Sequence, residues 1–130
     1  MKITAKIAVS GEGVATFAPE KVLDRLKQWF PNVIIDPKDY SQDEVDKITK
    51  FVQETEPERR AFMIEQIKRK SRQNGPTYKF TFESQTGQMI EGYARRYSVY
   101  FISEEKIDDE TQKKIVEFLE SLKLGEIVFS

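Results

Sequence analysis

Asp36, Asp39, Asp43 and Glu44 crowd one short stretch of the chain, and Arg95 and Arg96 stand side by side downstream. Carboxylates so spaced could move protons or hold a hard cation such as magnesium, and adjacent arginines could grip an anion. Bond-making chemistry has few other carriers, because the 130 residues include no histidine and no cysteine. Imidazole bases, Ser-His and Cys-His nucleophiles and almost all zinc or transition-metal sites go with those two residue types. The acidic cluster also has a plainer reading, since Asp and Glu are favoured in turns and in the first turn of helices. It lacks the central glycine of a calcium loop. We therefore expect no metal, no cofactor and no enzymatic activity; an enzyme would have to work with Asp36, Asp39, Arg95 and Arg96.

Gly11-Glu12-Gly13 has the context of a phosphate loop, after a strand and before a helix. It has neither a third glycine at dinucleotide-fold spacing nor a Gly-Lys-Ser/Thr ending, and Glu12 would repel an anion. We read it as a plain loop.

Charge is unevenly distributed. Residues 57 to 102 carry nine lysines and arginines against four glutamates, while the whole chain has a net charge of −1. A basic middle between acidic ends can mark an anionic partner, or basic and acidic segments that face each other within the fold. Within that middle, helical spacing brings Phe62 alongside Arg59, Gln66 and Arg69. An aromatic among arginines can anchor a protein partner or stack on a base. The default arrangement instead packs Phe62 against Phe51 across a helical pair and leaves the arginines solvated.

The segment from Tyr93 to Phe101 invites comparison with the central strand of the RNA-recognition motif and departs from it. Arg96 stands where that strand has glycine, and Val99 where it has an aromatic. Tyr78, Phe80 and Phe82 read as core, so no neighbouring strand offers an outward aromatic pair. Two adjacent strand residues point to opposite faces, which would put one of Arg95 and Arg96 towards solvent.

The elements that position these residues follow from periodicity. Residues 2 to 9 alternate as a half-buried strand. Pro19 opens a helix with the stripe Val22, Leu23, Leu26, Trp29 and Phe30, which Pro31 stops. Val33, Ile34 and Ile35 form a strand closed by Asp36-Pro37. Ser41-Gln42-Asp43-Glu44 reads as a capping box, with Val45, Ile48, Phe51 and Val52 as the buried stripe of the helix it opens. Pro57 begins a third helix, with Met63, Ile64 and Ile67 inward, and Asn74-Gly75-Pro76 ends it. Tyr78, Phe80 and Phe82 alternate in a strand that turns at residues 85 to 88. The return from Met89 to Ile102 is long, and Gly92 is its natural bend. Asp108 and Asp109 open a last helix through Ile115, Phe118, Leu119 and Leu122; Gly125 closes it in a left-handed conformation, and Ile127-Val128-Phe129 is a final strand.

The order β-α-β-(α-α)-β-β-α-β predicts one α+β domain, a two-layer α/β sandwich. A ferredoxin-like βαββαβ plan with an inserted helical hairpin is one arrangement this order allows. No apolar run is long enough to cross a bilayer, so the expected location is cytoplasmic and no membrane partner is expected. The expected function is macromolecule binding, to a protein first, through Arg59, Phe62, Gln66, Lys68, Arg69 and Arg72 on the third helix. Arg95, Arg96 and Tyr97 extend that set. Nucleic-acid binding by the basic third helix and the 89 to 102 strand is the alternative. A homodimer could form through an exposed edge strand, residues 126 to 129 or 2 to 9.

Overall fold

Alternating strands need one apolar face covered, and the computed structural model of the chain, which describes residues 1–6, 19–54, 57–96, 98–123 and 125–130, shows what covers it. The elements are β1 (Lys2–Lys6), α1 (Pro19–Trp29), β2 (Ile34–Asp39), α2 (Ser41–Val52), α3 (Pro57–Asn74), β3 (Tyr78–Glu83), β4 (Met89–Ala94), β5 (Ser98–Ile102), α4 (Asp109–Ser121) and β6 (Ile127–Phe129). The strands form one sheet in the order β2-β3-β4-β5-β1-β6, with every neighbouring pair antiparallel. This is the α+β, two-layer arrangement that the element order predicts. The ferredoxin-like label is not established, because β2 and β3 carry the sheet beyond a four-stranded unit. The expected continuation of β1 through residue 9, the Gly11-Glu12-Gly13 loop and Tyr97 lie outside the described residues.

Helices α1 and α4 supply Val22, Leu26, Ile115, Phe118 and Leu119 to a core completed by Ile3, Phe80, Ile90, Val99 and Phe101 from the sheet. Phe101 is fully buried at its centre, with ring centroids 5.2 Å from Phe80, 6.0 Å from Phe82 and 6.1 Å from both Phe30 and Phe118. Burying such a ring stabilises the fold by roughly 2 kcal/mol, and edge-to-face packing adds to it. The entrance to α4 is as the sequence predicts: the Asp108 carboxylate accepts the Thr111 amide at 3.0 Å.

Several boundaries differ from the sequence expectation. Ser41 does not cap α2 but is its first residue; Tyr40 occupies the cap position without a side-chain bond, and the Asp39 carboxylate takes the Ser41 amide instead. Asp36-Pro37 does not close β2. The strand runs on to Asp39 with irregular pairing after Ile35, which the absent proline N–H permits because β2 is an edge. Residues 2 to 6 are not an edge, since β1 lies between β5 and β6. At the end of α4 both Lys123, with φ 54°, and Gly125, with φ 139°, take positive φ, so the left-handed stretch begins two residues before the expected glycine.

The long return is two strands, not one bent strand. Arg95 and Arg96 lie in the turn between β4 and β5, where the Arg95 amide donates to the Ser98 carbonyl at 2.9 Å. Alternating strand faces therefore do not decide where these two side chains point. Gly92 sits inside β4, opposite Phe80 on one side and Phe101 on the other. A Cβ there would land on the buried Phe80 ring and 2.7 Å from the Tyr100 carbonyl oxygen. The glycine makes room for a ring; it does not make a bend. Gly92→Ala should cost about 1–3 kcal/mol, measured by urea denaturation, because neither the enclosed ring nor the strand backbone can yield cheaply.

Candidate functional site

A helical pair holds together along one apolar stripe on each partner. In α2 the buried stripe is Val45 and Val52, and in α3 it is the half-buried Ile64 and Ile67; none of residues 57 to 72 is fully buried. Periodicity also places Ile48, Phe51 and Met63 inside, and here the structure differs. All three are exposed, because α2 and α3 pack on each other and contribute nothing to the main core cluster. The pair is a hairpin inserted between β2 and β3, at the β2 end of the sheet.

Phe62 and Phe51 do not shelter each other. Their rings are 68% and 69% exposed, which overturns the default packing. Phe62 lies about 140° around α3 from Ile67, on the side away from the helix pairing. Arg59, Gln66 and Arg69 share that side; the two arginines are exposed and Gln66 is half-buried. Lys68 and Arg72 are exposed on the same helix, with the Arg72 guanidinium 3.7 Å from Glu65. Helix pitch thus brings Arg59, Phe62, Gln66 and Arg69 together as the sequence spacing predicts.

Arg95 belongs to a different surface. Its guanidinium pairs with Glu44 at the start of α2, donates to the Tyr100 hydroxyl at 3.3 Å and lies over the Tyr100 ring. It lines a cavity of about 300 Å³ with Val45, Ile48, Ile67 and Lys70. Arg96 is half-buried in the turn, and it too has an interaction partner.

Tyr93 of β4 stands directly opposite Tyr100 of β5 on the face turned away from α1 and α4, with ring centroids 5.2 Å apart. Tyr40 meets Tyr93 edge-on at 6.5 Å, and the Lys2 ammonium sits 4.4 Å above the Tyr100 ring. Burial pushes the Tyr100 phenol up, despite Arg95 beside it. This outward aromatic pair was missed because Gly92 and Ala94 hide the alternation of β4. The signal was the size match: a small residue opposite Phe80 and Phe101 assigns the inward face to even-numbered positions, and hence Tyr93 to the other.

The acidic cluster holds the root of the hairpin. Asp39 accepts the amides of Ser41 at 2.9 Å and of buried Thr77 at 3.0 Å, while the Tyr40 amide donates to the Thr77 carbonyl at 2.8 Å. These bonds tie the strand leading into α2 to the segment returning from α3. Partial burial pushes the Asp39 carboxyl up, but the two amides outweigh it and hold it below the usual value. Asp36 is lowered by the Tyr40 hydroxyl and the Lys38 amide, and Asp43 pairs with Lys38 at 2.7 Å. The cavity that Arg95 lines includes neither Asp36 nor Asp39, so the four residues an enzyme would need do not converge there. Among the described residues no group of three or more His, Cys, Asp or Glu is placed to hold a metal ion, and no helix is long and apolar enough to cross a membrane.

No family model, curated protein or solved structure matches this chain.

Removing the Asp39 carboxylate leaves the buried Thr77 amide without its acceptor, a loss of about 1–3 kcal/mol. Asp39→Ala should therefore speed amide exchange in α2 and α3 more than in β3 to β5. Asp36 and Asp39 are both held below the ordinary carboxyl value of 3.8, so their stabilisation is full above that value and disappears as pH falls through the folded values. Asp39→Asn cannot titrate, and should lose less stability than the wild type on acidification from about pH 6 to about pH 3, followed by denaturant midpoints.

Proposed function

We propose that this chain is a small, non-enzymatic cytoplasmic domain that binds another protein through the α2–α3 hairpin. The observation that carries the reading is Phe62, whose large ring is 68% exposed on a helix face shared with Arg59 and Arg69. Isolated apolar residues on a surface are ordinary, but aromatic and arginine side chains together are the pairing most enriched at binding hot spots. The hairpin has a second apolar flank in Ile48, Phe51 and Met63. It stands clear of the main core, so side chains here can be given to a partner without opening that core. The chemistry fits an apolar socket rimmed by carboxylates: Phe62 fills the socket, and Arg59 and Arg69 meet the acids.

Phe62→Ala combined with Arg69→Glu should abolish capture of the partner in quantitative pull-downs while stability changes by less than about 1 kcal/mol, since both side chains are exposed. Capture of the same proteins by the double variant would overturn the reading.

Tyr93, Tyr100, Lys2 and Arg95 support a second reading, nucleic-acid binding on the sheet face opposite α1 and α4. Stacked aromatics beside cations are how single strands are commonly held, and the exposed Lys68, Arg69, Lys70 and Arg72 could add phosphate contacts. Against it, Arg95 is paired with Glu44, Lys79 lies 3.7 Å from Glu91, and the sequence pI is about 5.7. The reading expects affinity for a labelled single-stranded oligonucleotide to fall steeply between about 50 and 200 mM salt, and to weaken in Tyr100→Ala. No binding at the lower salt removes it.

A further inference from the structure

The two edges of the sheet are built differently. On β2, Asp36, Pro37, Lys38 and Asp39 interrupt the edge with charge, a missing N–H and irregular pairing, the usual devices that stop a sheet from growing. On β6, Ile127-Val128-Phe129-Ser130 contains neither a charged side chain nor a proline.

Among the described residues, the register fixes which backbone groups β6 leaves open. Ser130 and Lys2 exchange amide–carbonyl bonds at 2.7 and 2.8 Å, and the Lys6 amide donates to the Glu126 carbonyl at 3.4 Å. Thr4 stands opposite Val128 between them. Residues 126, 128 and 130 therefore turn their backbone groups towards β1, and antiparallel alternation turns those of Ile127 and Phe129 away from it. Val128 is 43% and Phe129 49% exposed, on opposite faces of the strand.

We propose that two copies of this chain pair antiparallel through their outer β6 edges, about a two-fold axis at Val128. That register sets Ile127 opposite the second copy's Phe129 and the reverse, so every outward N–H meets an outward C=O. Val128 faces its own copy in the close, non-hydrogen-bonded position. On the helix side Phe129 lies beside Ile127 of the other copy. This self-complementarity is what selects a second copy over a foreign strand.

The contact is short, well under the area of a standard stable interface of about 1,600 Å², so the dimer is reversible. Because the hairpin is inserted at the β2 end, the opposite edge of the sheet, pairing at β6 leaves both hairpins available and makes the particle bivalent. The inference does not rest on the protein-binding reading.

Sedimentation velocity on the purified chain, from roughly 10 µM to 1 mM, a range suited to an interface below standard size, should show a monomer–dimer equilibrium. Phe129→Pro removes an outward N–H but no bond to β1, and should abolish the dimer; Phe129→Ala keeps that N–H and should only weaken it. Val128→Lys and Val128→Glu should each be monomeric alone and form a heterodimer when mixed, which happens only if residue 128 meets its own copy. The inference is overturned if the wild type stays monomeric throughout, if Phe129→Pro or Val128→Lys dimerises like the wild type, or if the folded charge variants fail to pair when mixed.

Discussion

Among the described residues, α1 and α4 cover one face of this sheet while the α2–α3 hairpin reaches the other face only at its root, and most of what distinguishes the molecule follows from that constraint. Phe101 marks the covered side, with four aromatic neighbours and no exposure. An antiparallel sheet can leave its other face wet if the residues there tolerate water. Here that face carries Thr4, Lys79, Glu91, Tyr93 and Tyr100, side chains with a polar tip or an ion partner, together with the exposed Ile34, Met89, Ile102 and Val128. The helical pair touches that face at its root, through Tyr40 and the Glu44–Arg95 pair, and a helix with so little to cover can expose apolar residues that a core helix would bury.

The hairpin still needs a fixed root. The bonds around Asp39 and Thr77 supply it at the base, and the Glu44–Arg95 pair supplies a second tether to the β4–β5 turn. Both are polar links, the second between half-buried side chains, and such links are weaker than a shared apolar core. The hairpin is consequently the element best placed to adjust to a partner without disturbing the sheet.

The elements were largely legible in the sequence because each depends on local pattern: the alternation of Ile3 and Ala5, the stripe Ile115, Phe118 and Leu119, the Asp108 cap. Errors arose where a residue answers to a distant neighbour. Gly92 resembles a bend until Phe80 is known to lie over it, and Ser41 resembles a cap until Asp39 is seen to take its amide. Ile48, Phe51 and Met63 have the spacing of a buried stripe, and spacing cannot reveal that no third layer covers the pair. The clustering of Arg59, Phe62, Gln66 and Arg69 was legible, being set by one helix's pitch. The Tyr93–Tyr100 pair was not, because it requires the register of two strands.

The missing histidine and cysteine acquire a sharper meaning against this architecture. Composition leaves carboxylate, lysine, arginine, tyrosine and hydroxyl side chains, and the carboxylates at the root of the hairpin already have partners. Asp36 holds Tyr40, Asp39 holds two amides, Asp43 holds Lys38, and Glu44 holds Arg95. Asp36 and Asp39, whose proton affinity is lowered by the groups they hold, are poor general bases. The proposed surfaces rest on groups of another kind: the rings of Phe51 and Phe62, the guanidinium groups of Arg59 and Arg69, and the outward amides of β6. Apolar area, fixed charge and backbone hydrogen-bonding groups all act by complementarity, and none of them needs to change its covalent state to do so.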